Sequence, residues 1–354
     1  MSAPENSLQN PLRVGLIGYG LAGRAFHAPL IATTPGLRLQ TVVTANPERR
    51  EQLSREYPQA RAVDSVEQLL ADPSALDLVV VASPNDTHSP SARAALEAGL
   101  PVVVDKPLAP TAAEARELIE LAEARGVMLT VFQNRRWDSD FRTAKHLIAE
   151  GGLGDVHRFE SRFERWRPQI ATGWRESADP AKAGGVLNDL GSHLVDQALH
   201  LFGPATRVYA EVDVRRPGAV ADDDAFIALT HASGVHSHLW MSAVAAQLGP
   251  RLRVLGNQSA YVVQGLDPQE AALRAGERPG PGWGEPAESE WGLLGTTEDA
   301  RRYPSLPGDY PAFYAGVVAA LRDGAPAPVD PRDALATLTV LETARRSAAE
   351  GRTL

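Results

Sequence analysis

The chain of 354 residues has 35 basic and 44 acidic side chains, giving a formal net charge of −9, and it contains no cysteine. This length is sufficient for two domains with sizeable cores. The acidic balance argues against nucleic acid and anionic membranes as partners, and the lack of cysteine excludes disulfides and thiolate chemistry. Residues 1–11 lack a signal-peptide pattern and no apolar run approaches the ~20 residues of a membrane span, so we expect a cytoplasmic protein.

A glycine-rich loop follows the first predicted strand. Residues 12–17 are typical of a buried strand, Gly18-Tyr19-Gly20-Leu21-Ala22-Gly23 comes next, and a helical run extends from about Arg24 to Ala32. This is the G-x-G-x-x-G pattern in the strand–helix context that dinucleotide binding requires. Its first glycine permits a tight turn, the second lets a pyrophosphate approach the backbone, and the third lets the helix pack on the strand.

Predicted strands and helices alternate up to residue 134. The further strands are predicted at residues 37–44, 60–63, 78–82, 101–104 and 129–132, and helices at residues 24–32, 47–57, 65–71, 88–98 and 111–124. Such alternation with nearly continuous apolar strands is typical of a parallel sheet covered on both faces. We therefore predict an α/β fold with a doubly wound Rossmann domain over residues 1–134 and a second domain over residues 135–354.

The end of the second predicted strand bears on the choice of dinucleotide. NAD-specific sites usually place an acidic residue about 20 residues after the glycines, where it bonds the ribose 2′-hydroxyl. Here that place holds Thr44, Ala45 and Asn46, with Arg49 and Arg50 just beyond. The absence of a carboxylate near two arginines favours NADP over NAD. The alternative is that both arginines lie on a solvated helix face.

Two further loops follow strands at the edge where open α/β sheets bind ligands. They are Ser83-Pro84-Asn85-Asp86-Thr87-His88 and Val104-Asp105-Lys106-Pro107. Lys106 lies directly after a buried strand and before a proline, so its direction is well fixed. It could donate to a substrate hydroxyl or stabilise negative charge on oxygen. The alternative is an ordinary surface lysine.

A third segment, residues 184–196, combines a glycine pair with acidic residues and a histidine. Interpreted as a helix, it puts Asp189, His193 and Asp196 on neighbouring turns, because residues three and four apart share a face. Imidazole is the side chain best suited to moving a proton near neutral pH, and a neighbouring carboxylate orients it. The alternative is a buried helix with an ordinary Asp–His hydrogen bond.

The pattern changes beyond residue 134. A helix is predicted at residues 141–150, and strands at 156–163, 207–214, 225–231, 235–242, 252–255 and 260–263. The close spacing of these strands indicates hairpins and antiparallel pairing. Residues 267–311 are rich in Gly, Pro and Glu and are predicted to form a long functional or mobile loop. Closing helices are predicted at residues 310–321 and 331–349.

Other polar residues of the second half have less specific interpretations. We expect the arginines near the strand at 156–163 to lie on a solvated sheet face or in subunit contacts; they are Arg158, Arg162, Arg165 and Arg167. His236 and His238 lie two apart on one strand, but no third ligand has a fitting spacing, so no metal site is predicted.

Together, three motifs resemble the Gfo/Idh/MocA family of oxidoreductases. They are the glycine loop, Asp105-Lys106-Pro107 as a variant of E-K-P, and G-G-x-x-x-D-x-x-x-H at residues 184–193. The resemblance covers nearly the whole chain. Residues 134–138, 174–176, 189–193 and 272–276 further resemble the branch that contains NADP-dependent scyllo-inositol dehydrogenases. The family implies a Rossmann domain followed by an α/β domain with a large, open, mostly antiparallel sheet, which usually mediates formation of a homodimer or homotetramer.

The resemblance also implies roles for individual residues. Lys106 would contact the reacting hydroxyl, His193 would act as general acid/base, and Asp189 would orient His193. Asp105 stands where the family usually has Glu, so its carboxylate is shorter by one methylene. The implied cofactor contacts are Gly18, Tyr19, Gly20, Leu21, Ala22, Gly23, Thr44, Arg49, Ser83, Pro84, Asn85, His88, Asp105, Lys106, Asn134, Trp174 and Arg175. The implied substrate contacts are Lys106, Arg136, Trp174, Asp189 and His193.

The sequence thus predicts reversible hydride transfer between NADP(H) and a secondary alcohol or ketone of a cyclic polyol or sugar. A different sugar or aldose is the alternative within the same class. A non-catalytic dinucleotide-binding sensor is the alternative from another class. Such a sensor would need the glycine loop but not the combination of lysine, aspartate and histidine.

Overall fold

The computed structural model of the protein describes residues 10–354, so the signal-peptide prediction concerns residues that lie mostly outside it. The chain forms two compact units. The first unit consists of the chain up to Phe132, Gln269–Gly282 and Tyr310–Arg332. The second unit consists of Gln133–Pro268, Trp283–Asp309 and Asp333–Leu354. The first passage between units is adjacent to the division predicted at residue 134, and two later segments return to the first unit.

The first unit contains a parallel sheet of six strands. They are β1 (Leu12–Ile17), β2 (Leu37–Val43), β3 (Arg61–Val63), β4 (Leu78–Val81), β5 (Val102–Asp105) and β6 (Leu129–Phe132). Their order is β3-β2-β1-β4-β5-β6, and every neighbouring pair is parallel. The order reverses between β1 and β4, which makes their carboxyl ends the expected ligand-binding edge. The predicted doubly wound sheet is confirmed.

Helices cover this sheet on both faces, as the complete burial of all four β4 residues requires. Directly after the glycine loop, Ala22–His27 forms π-type turns that lead into the first α-helix. The α-helices of both units are α1 (Ala28–Thr33), α2 (Pro47–Glu56), α3 (Val66–Leu69), α4 (His88–Glu97), α5 (Ala112–Arg125), α6 (Ser139–Ala149), α7 (Val186–Asp189), α8 (Gly191–Phe202), α9 (Gln269–Arg274), α10 (Pro311–Asp323) and α11 (Pro331–Glu350). None of the helices in residues 10–354 is both long and apolar enough to span a membrane.

The second unit contains an eight-stranded, mostly antiparallel sheet, as predicted. Its strands are β7 (Val156–Glu164), β8 (Ala205–Asp213), β9 (Asp224–His231), β10 (His236–Ser242), β11 (Leu252–Gly256), β12 (Ala260–Val263), β13 (Leu293–Gly295) and β14 (Arg301–Arg302). Their order is β14-β13-β12-β11-β7-β10-β9-β8, and only β7 and β10 pair in parallel.

Alternation along the strands gives this sheet two different faces. In β9, Ala225, Ile227 and Leu229 are buried, whereas the intervening residues are only half-buried. The buried face joins one hydrophobic core with residues of α6, α8 and α11, such as Leu194 and Leu341. The helices therefore cover one face of the sheet, and half-buried side chains occupy the other.

The segment predicted as a long loop, residues 267–311, is more regular than its composition indicated. It begins with α9 in the first unit and later supplies β13 and β14, which extend the sheet of the second unit. Leu293 pairs with Val262 of β12, and this pairing satisfies backbone groups that a loop would leave to water. The prediction of one long structureless loop is wrong because short edge strands leave little periodicity in the sequence.

A cluster of buried charges lies inside the second unit. The carboxylates of Asp138, Asp140 and Asp267 lie among the guanidinium groups of Arg135 and Arg251, and all five residues are buried. Arg135 donates to Asp138 at 3.2 Å, and Arg251 lies 3.4 Å from Asp140. Burial raises the pKa of Asp138 to about 8; the carboxylates of Asp267 and Asp140 act in the same direction, and Arg135 opposes it.

This cluster makes stability depend on pH. Because its pKa is raised, Asp138 binds its proton at a higher pH in the folded protein than in the unfolded chain, where it ionises near pH 4. Between about pH 4 and pH 8 the folded state therefore binds one more proton, and stability falls as the pH rises. Asp138→Asn should remove this contribution, worth up to about 1.4 kcal/mol per pH unit. Urea unfolding from pH 4.5 to 8 measures the difference in slope.

Asp330→Asn provides the matched control, because the Asp330 side chain is about half exposed. Its unfolding free energy should follow the pH dependence of the unaltered protein. Equal slopes for Asp138→Asn and the unaltered protein would show that Asp138 is ionised in the fold.

Candidate active site

The glycine loop lies where β1 and β4 come closest. Gly18 has φ +98°, and a Cβ atom there would lie 2.6 Å from the carbonyl oxygen of Ala82 at the end of β4. A Cβ atom on Gly23 would lie 2.0 Å from the carbonyl oxygen of Gly18. Both positions require glycine, the first for its positive φ and the second for the close packing of the helical turns on the loop. These contacts correspond to the roles that the motif predicts for its first and third glycines.

The middle glycine of the loop faces open space. A Cβ atom on Gly20 would have one neighbour within 4 Å, a terminal nitrogen of Arg49 at 3.9 Å. The backbone here is therefore accessible to a ligand, as a dinucleotide pyrophosphate requires, and an arginine lies beside it. Tyr19 differs from Gly20, because its ring is buried and its hydroxyl donates to Glu56 at 2.8 Å. Leu21 is exposed and Ala22 half-buried.

The two arginines after β2 have different surroundings. Arg50 donates from Nε to the carbonyl oxygen of Thr44 at 2.8 Å and pairs with Asp64. Arg49 is exposed on the first turn of α2, where its backbone N–H donates to the side chain of Asn46. Arg50 thus holds the end of β2, whereas the Arg49 guanidinium is accessible beside the glycine loop.

A buried histidine joins the loops that follow β4 and β5. His88 is 1% exposed, and its Nδ1 and Nε2 lie 2.7 Å and 2.9 Å from the carbonyl oxygens of Pro107 and Ser83. Asp105 ends β5 and accepts a hydrogen bond from the backbone N–H of Lys106 at 2.8 Å. These bonds fix both loops at the carboxyl edge of the sheet. Within the loop after β4, Pro84 is exposed and Asn85 is buried.

In the second unit, the glycine pair of the third motif makes close contacts with the backbone and with Asp222. A Cβ atom on Gly184 would lie 2.4 Å from the carbonyl oxygen of Ser177, and one on Gly185 would lie 2.2 Å from Asp222 Oδ1. Asp222 accepts a hydrogen bond from the Leu187 N–H at 2.7 Å, so it binds the first turn of α7. Sequence reasoning missed Asp222, because it lies 35 residues from its partner in the chain.

Asp189 is held by an arginine that stacks on tryptophan. Arg175 donates from Nε to Asp189 Oδ2 at 2.8 Å, and its guanidinium carbon lies 4.3 Å from the centre of the Trp174 ring. Asp189 ends α7, and His193 lies in the first turn of α8, so the predicted single helix changes at Leu190. His193 is buried, with its ring 6.3 Å from that of Phe163.

A cavity of about 280 Å³ lies within the second unit. Its wall includes Trp174, Arg175 and Asp189. Arg165 and Arg167 also line it. Arg165 is half-buried and Arg167 is exposed just beyond the end of β7, so the expectation that they lie on a solvated sheet face or in subunit contacts stays a prediction.

Paired charges hold the wall of the cavity. Arg216 is buried and donates to Glu176 at 2.8 Å and to Asp223 at 2.9 Å. It connects the segment that carries Trp174 and Arg175 to the start of β9. Sequence reasoning missed Arg216, and no local signal distinguishes it from the other arginines.

Arg136 lies in a buried ion pair. It donates to both oxygens of Asp196, at 2.8 Å and 2.6 Å, and to Asp333 at 2.9 Å. Asp196 is therefore bound to Arg136, and burial raises its pKa against the opposing charge of the arginine. Asn134 is buried in a short helical turn next to Arg136. Substrate contact by Arg136 and cofactor contact by Asn134 stay predictions.

The predicted site residues thus belong to two groups. The group in the first unit comprises residues 18–23, Thr44, Arg49, residues 83–88, Asp105 and Lys106. The group in the second unit comprises Asn134, Arg136, Trp174, Arg175, Asp189 and His193.

In residues 10–354 we find no group of three or more histidine, aspartate or glutamate side chains that could hold a metal ion.

Comparison with known proteins assigns both parts of the chain to one family. Residues 12–133 match the oxidoreductase family with the NAD-binding Rossmann fold, and residues 141–262 match the GFO/IDH/MocA C-terminal domain. YdgJ, an uncharacterized oxidoreductase of Escherichia coli K12, is 42% identical over 98% of this chain and 99% of its own. The scyllo-inositol 2-dehydrogenase (NADP(+)) IolW of Bacillus subtilis 168 is 35% identical over 97% of this chain and 95% of its own.

The fold also matches a solved structure over its whole length. The oxidoreductase yvaA of Bacillus subtilis superposes with a TM-score of 0.92 at 35% identity, covering 98% of each chain. Relatives with this coverage share both units of the fold. The chain therefore belongs to the Gfo/Idh/MocA family of oxidoreductases.

Proposed function

We propose that the protein catalyses reversible hydride transfer between NADP(H) and a secondary alcohol or ketone of a cyclic polyol, of the scyllo-inositol type. The observation that carries the proposal is the cavity in which Asp189 is fixed by Arg175 and Trp174. Its volume of about 280 Å³ is near the lower end of small-molecule pockets, about 300 Å³, and so suits a single sugar-sized ring. IolW, similar to this chain over nearly its whole length, is named for this substrate and cofactor.

In this proposal the nicotinamide, when bound, supplies the hydride chemistry. His193 accepts the hydroxyl proton during oxidation and returns it during reduction. Lys106 donates to the reacting oxygen and stabilises its negative charge. Asp189, held by Arg175, orients the proton-transferring group. A different sugar or aldose would use the same residues with other contacts along the cavity wall.

His193→Ala should lower kcat with the best substrate by about 10²–10⁴-fold, the usual contribution of general acid/base catalysis. Lys106→Ala should lower it at least as much. Initial rates of NADP⁺ and NAD⁺ reduction with scyllo-inositol, myo-inositol and glucose measure these effects and identify the best substrate.

His146→Ala is the matched control, because His146 lies near the end of α6 and has no part in the proposed chemistry. It should retain the unaltered rate. Activity of His193→Ala close to that of the unaltered protein would remove His193 from the acid/base role. NADPH binding without turnover of any sugar would instead favour the sensor.

The preference for NADP rests on the end of β2. No carboxylate follows the strand at residues 44–46, and Arg49 is exposed beside Gly20. Thr44→Asp should invert the preference from NADPH to NADH, because a carboxylate repels a 2′-phosphate. Arg49→Ala should raise the KM for NADPH about tenfold or more, the worth of a charge-assisted hydrogen bond, and leave the KM for NADH unchanged.

Arg55→Ala is the matched control on the same helix, because Arg55 is 69% exposed and pairs with the exposed Glu51 one turn earlier. It should leave both KM values unchanged. An unchanged ratio of NADPH to NADH activity in Thr44→Asp would contradict the NADP assignment.

We also propose that a second copy of the chain packs on the face of the eight-stranded sheet that is not covered by any helix of residues 10–354. Phe226, His238 and Trp240 form a row of half-buried rings there, with centres 5.1 to 6.1 Å apart. Arg162 lies over the Trp240 ring at 3.9 Å. On the same face Arg253 pairs with the buried Glu160 at 2.9 Å, so these charges are satisfied within the chain and the aromatic row can meet its own copy across a two-fold axis.

Trp240→Glu should therefore shift the protein toward the monomer, since it places a charge in the centre of an apolar interface. Sedimentation velocity measures the change. Val220→Glu, at an exposed loop position, is the control and should keep the assembly of the unaltered protein. A monomeric unaltered protein, or the same assembly in Trp240→Glu, would contradict a dimer through this face.

A further inference from the structure

A histidine of the first unit is buried beside the glycine loop and has no part in the function proposed above. His27 ends the π-type turns after the loop and is 0% exposed. Its ring lies 4.6 Å from that of Phe132. A fully buried imidazole needs partners for its polar nitrogens, so the surroundings of each nitrogen determine what His27 does.

Nδ1 of His27 has a clear partner. It lies 2.6 Å from the hydroxyl oxygen of Tyr314, which is also fully buried. Within residues 10–354 the Tyr314 hydroxyl has no other hydrogen-bond partner, so its hydrogen satisfies Nδ1. Burial, together with the nearby charge of Asp105, raises the pKa of Tyr314 well above its usual value, which keeps the phenol protonated and able to donate.

With Nδ1 as acceptor, the neutral ring carries its proton on Nε2. Among the described residues this nitrogen has no hydrogen-bond partner within 3.5 Å, and it faces Asp105 Oδ1 at 3.8 Å. The opposite tautomer would direct an Nε2 lone pair at a carboxylate, which is repulsive. The arrangement is therefore a directed series, in which Tyr314 donates to His27 and His27 presents its N–H to Asp105.

The series ends at the residue that precedes the proposed catalytic lysine. Asp105 Oδ1, the same oxygen that faces His27, accepts the backbone N–H of Lys106 at 2.8 Å. One carboxylate oxygen thus connects the buried histidine to the backbone of Lys106. The Lys106 side chain extends from this backbone, so the position of the Asp105 carboxylate influences which positions the Lys106 ammonium group can reach.

We propose that Tyr314 and His27 are positioning residues that hold the Asp105 carboxylate ionised and aligned on Lys106. The proposal rests on the function proposed above, in which Lys106 contacts the reacting oxygen. The polar and charged groups near Asp105 are Tyr314 from α10, His27 from the turns after β1, His88 from α4, and Lys106 itself. Burial works against ionisation of Asp105, but His27, His88 and Lys106 outweigh it and hold its pKa below the usual value.

The tautomer of His27 can be measured without any activity. In the full chain with ¹⁵N-labelled histidine, the signal lost in His27→Gln identifies His27 among the nine histidines. We expect an Nε2–H tautomer with Nδ1 as acceptor in the unaltered protein. Tyr314→Phe should change the Nδ1 shift, because it removes only the donating hydroxyl. An Nδ1–H tautomer in the unaltered protein would overturn the proposed series.

Kinetics then tests the connection to Lys106. His27→Leu removes the donor to Asp105, so the pKa of Asp105 should rise and the acid limb of the kcat/KM profile should move up by about one to two pH units. Misplacement of Lys106 should lower kcat by about ten- to a hundredfold with little change in the KM for NADPH. His27→Gln keeps an N–H near Asp105 and should restore the position of the acid limb.

His231→Leu provides the matched control. His231 is also buried, with both nitrogens bound to protein, but it lies in the second unit and bonds to Gly203 and Ser237. It should leave the acid limb in place. An unmoved limb in His27→Leu, or an equal shift in His231→Leu, would overturn the proposal.

The two proposals fail in different ways. If the unaltered protein turns over no polyol or sugar with either dinucleotide, the proposed function fails, and the tautomer of His27 still decides the hydrogen-bonded series. If Lys106→Ala loses activity but His27→Leu keeps the unaltered profile, the proposed function stands and the positioning role of His27 is overturned.

Discussion

The cofactor edge of the first unit depends on the close approach between the glycine loop and the end of β4. At Gly18 any Cβ atom would collide with the backbone of Ala82, so the two strands can meet at the switch point only with glycine there. Gly23 then packs against the Gly18 carbonyl and sets the start of the helical turns that carry His27. One steric requirement thus fixes the loop, the direction of the turns and the buried histidine behind them.

In the second unit, paired charges take the place of this steric constraint. Asp222 binds the first turn of α7, Arg216 binds Glu176 and Asp223, and Arg175 binds Asp189. Most residues of these hydrogen bonds and ion pairs line the cavity, and the bonds hold the chain segments that form its wall. Removing one member would leave its partner charged and partly buried, which is costly in a low-dielectric environment. The shape of the cavity therefore depends on all of these pairs.

The parts of the fold that the sequence predicts well are those specified by neighbours in the chain. The strand–loop–helix at the glycine motif and the apolar strands of the parallel sheet depend on patterns a few residues long. The ion-pair partners of individual arginines do not depend on such short patterns, so the sequence does not predict them. Arg49 and Arg50 are adjacent, but among the residues that the structure describes only Arg50 pairs with a carboxylate, that of Asp64 directly after β3. Arg136 pairs with Asp196 and Asp333, which lie 60 and 197 residues away.

Separation in the chain also explains why the sequence does not predict the contact between His27 and Asp105. Asp105 stands where the family usually has glutamate. From the sequence alone, the one consequence that can be predicted is a side chain shorter by one methylene. In the structure, the carboxylate oxygen Oδ1 of Asp105 lies 3.8 Å from Nε2 of the buried His27, a distance slightly longer than a hydrogen bond. The sequence does not show that His27 and Asp105 are neighbours, because they are far apart in the chain and come together only through packing of the folded unit.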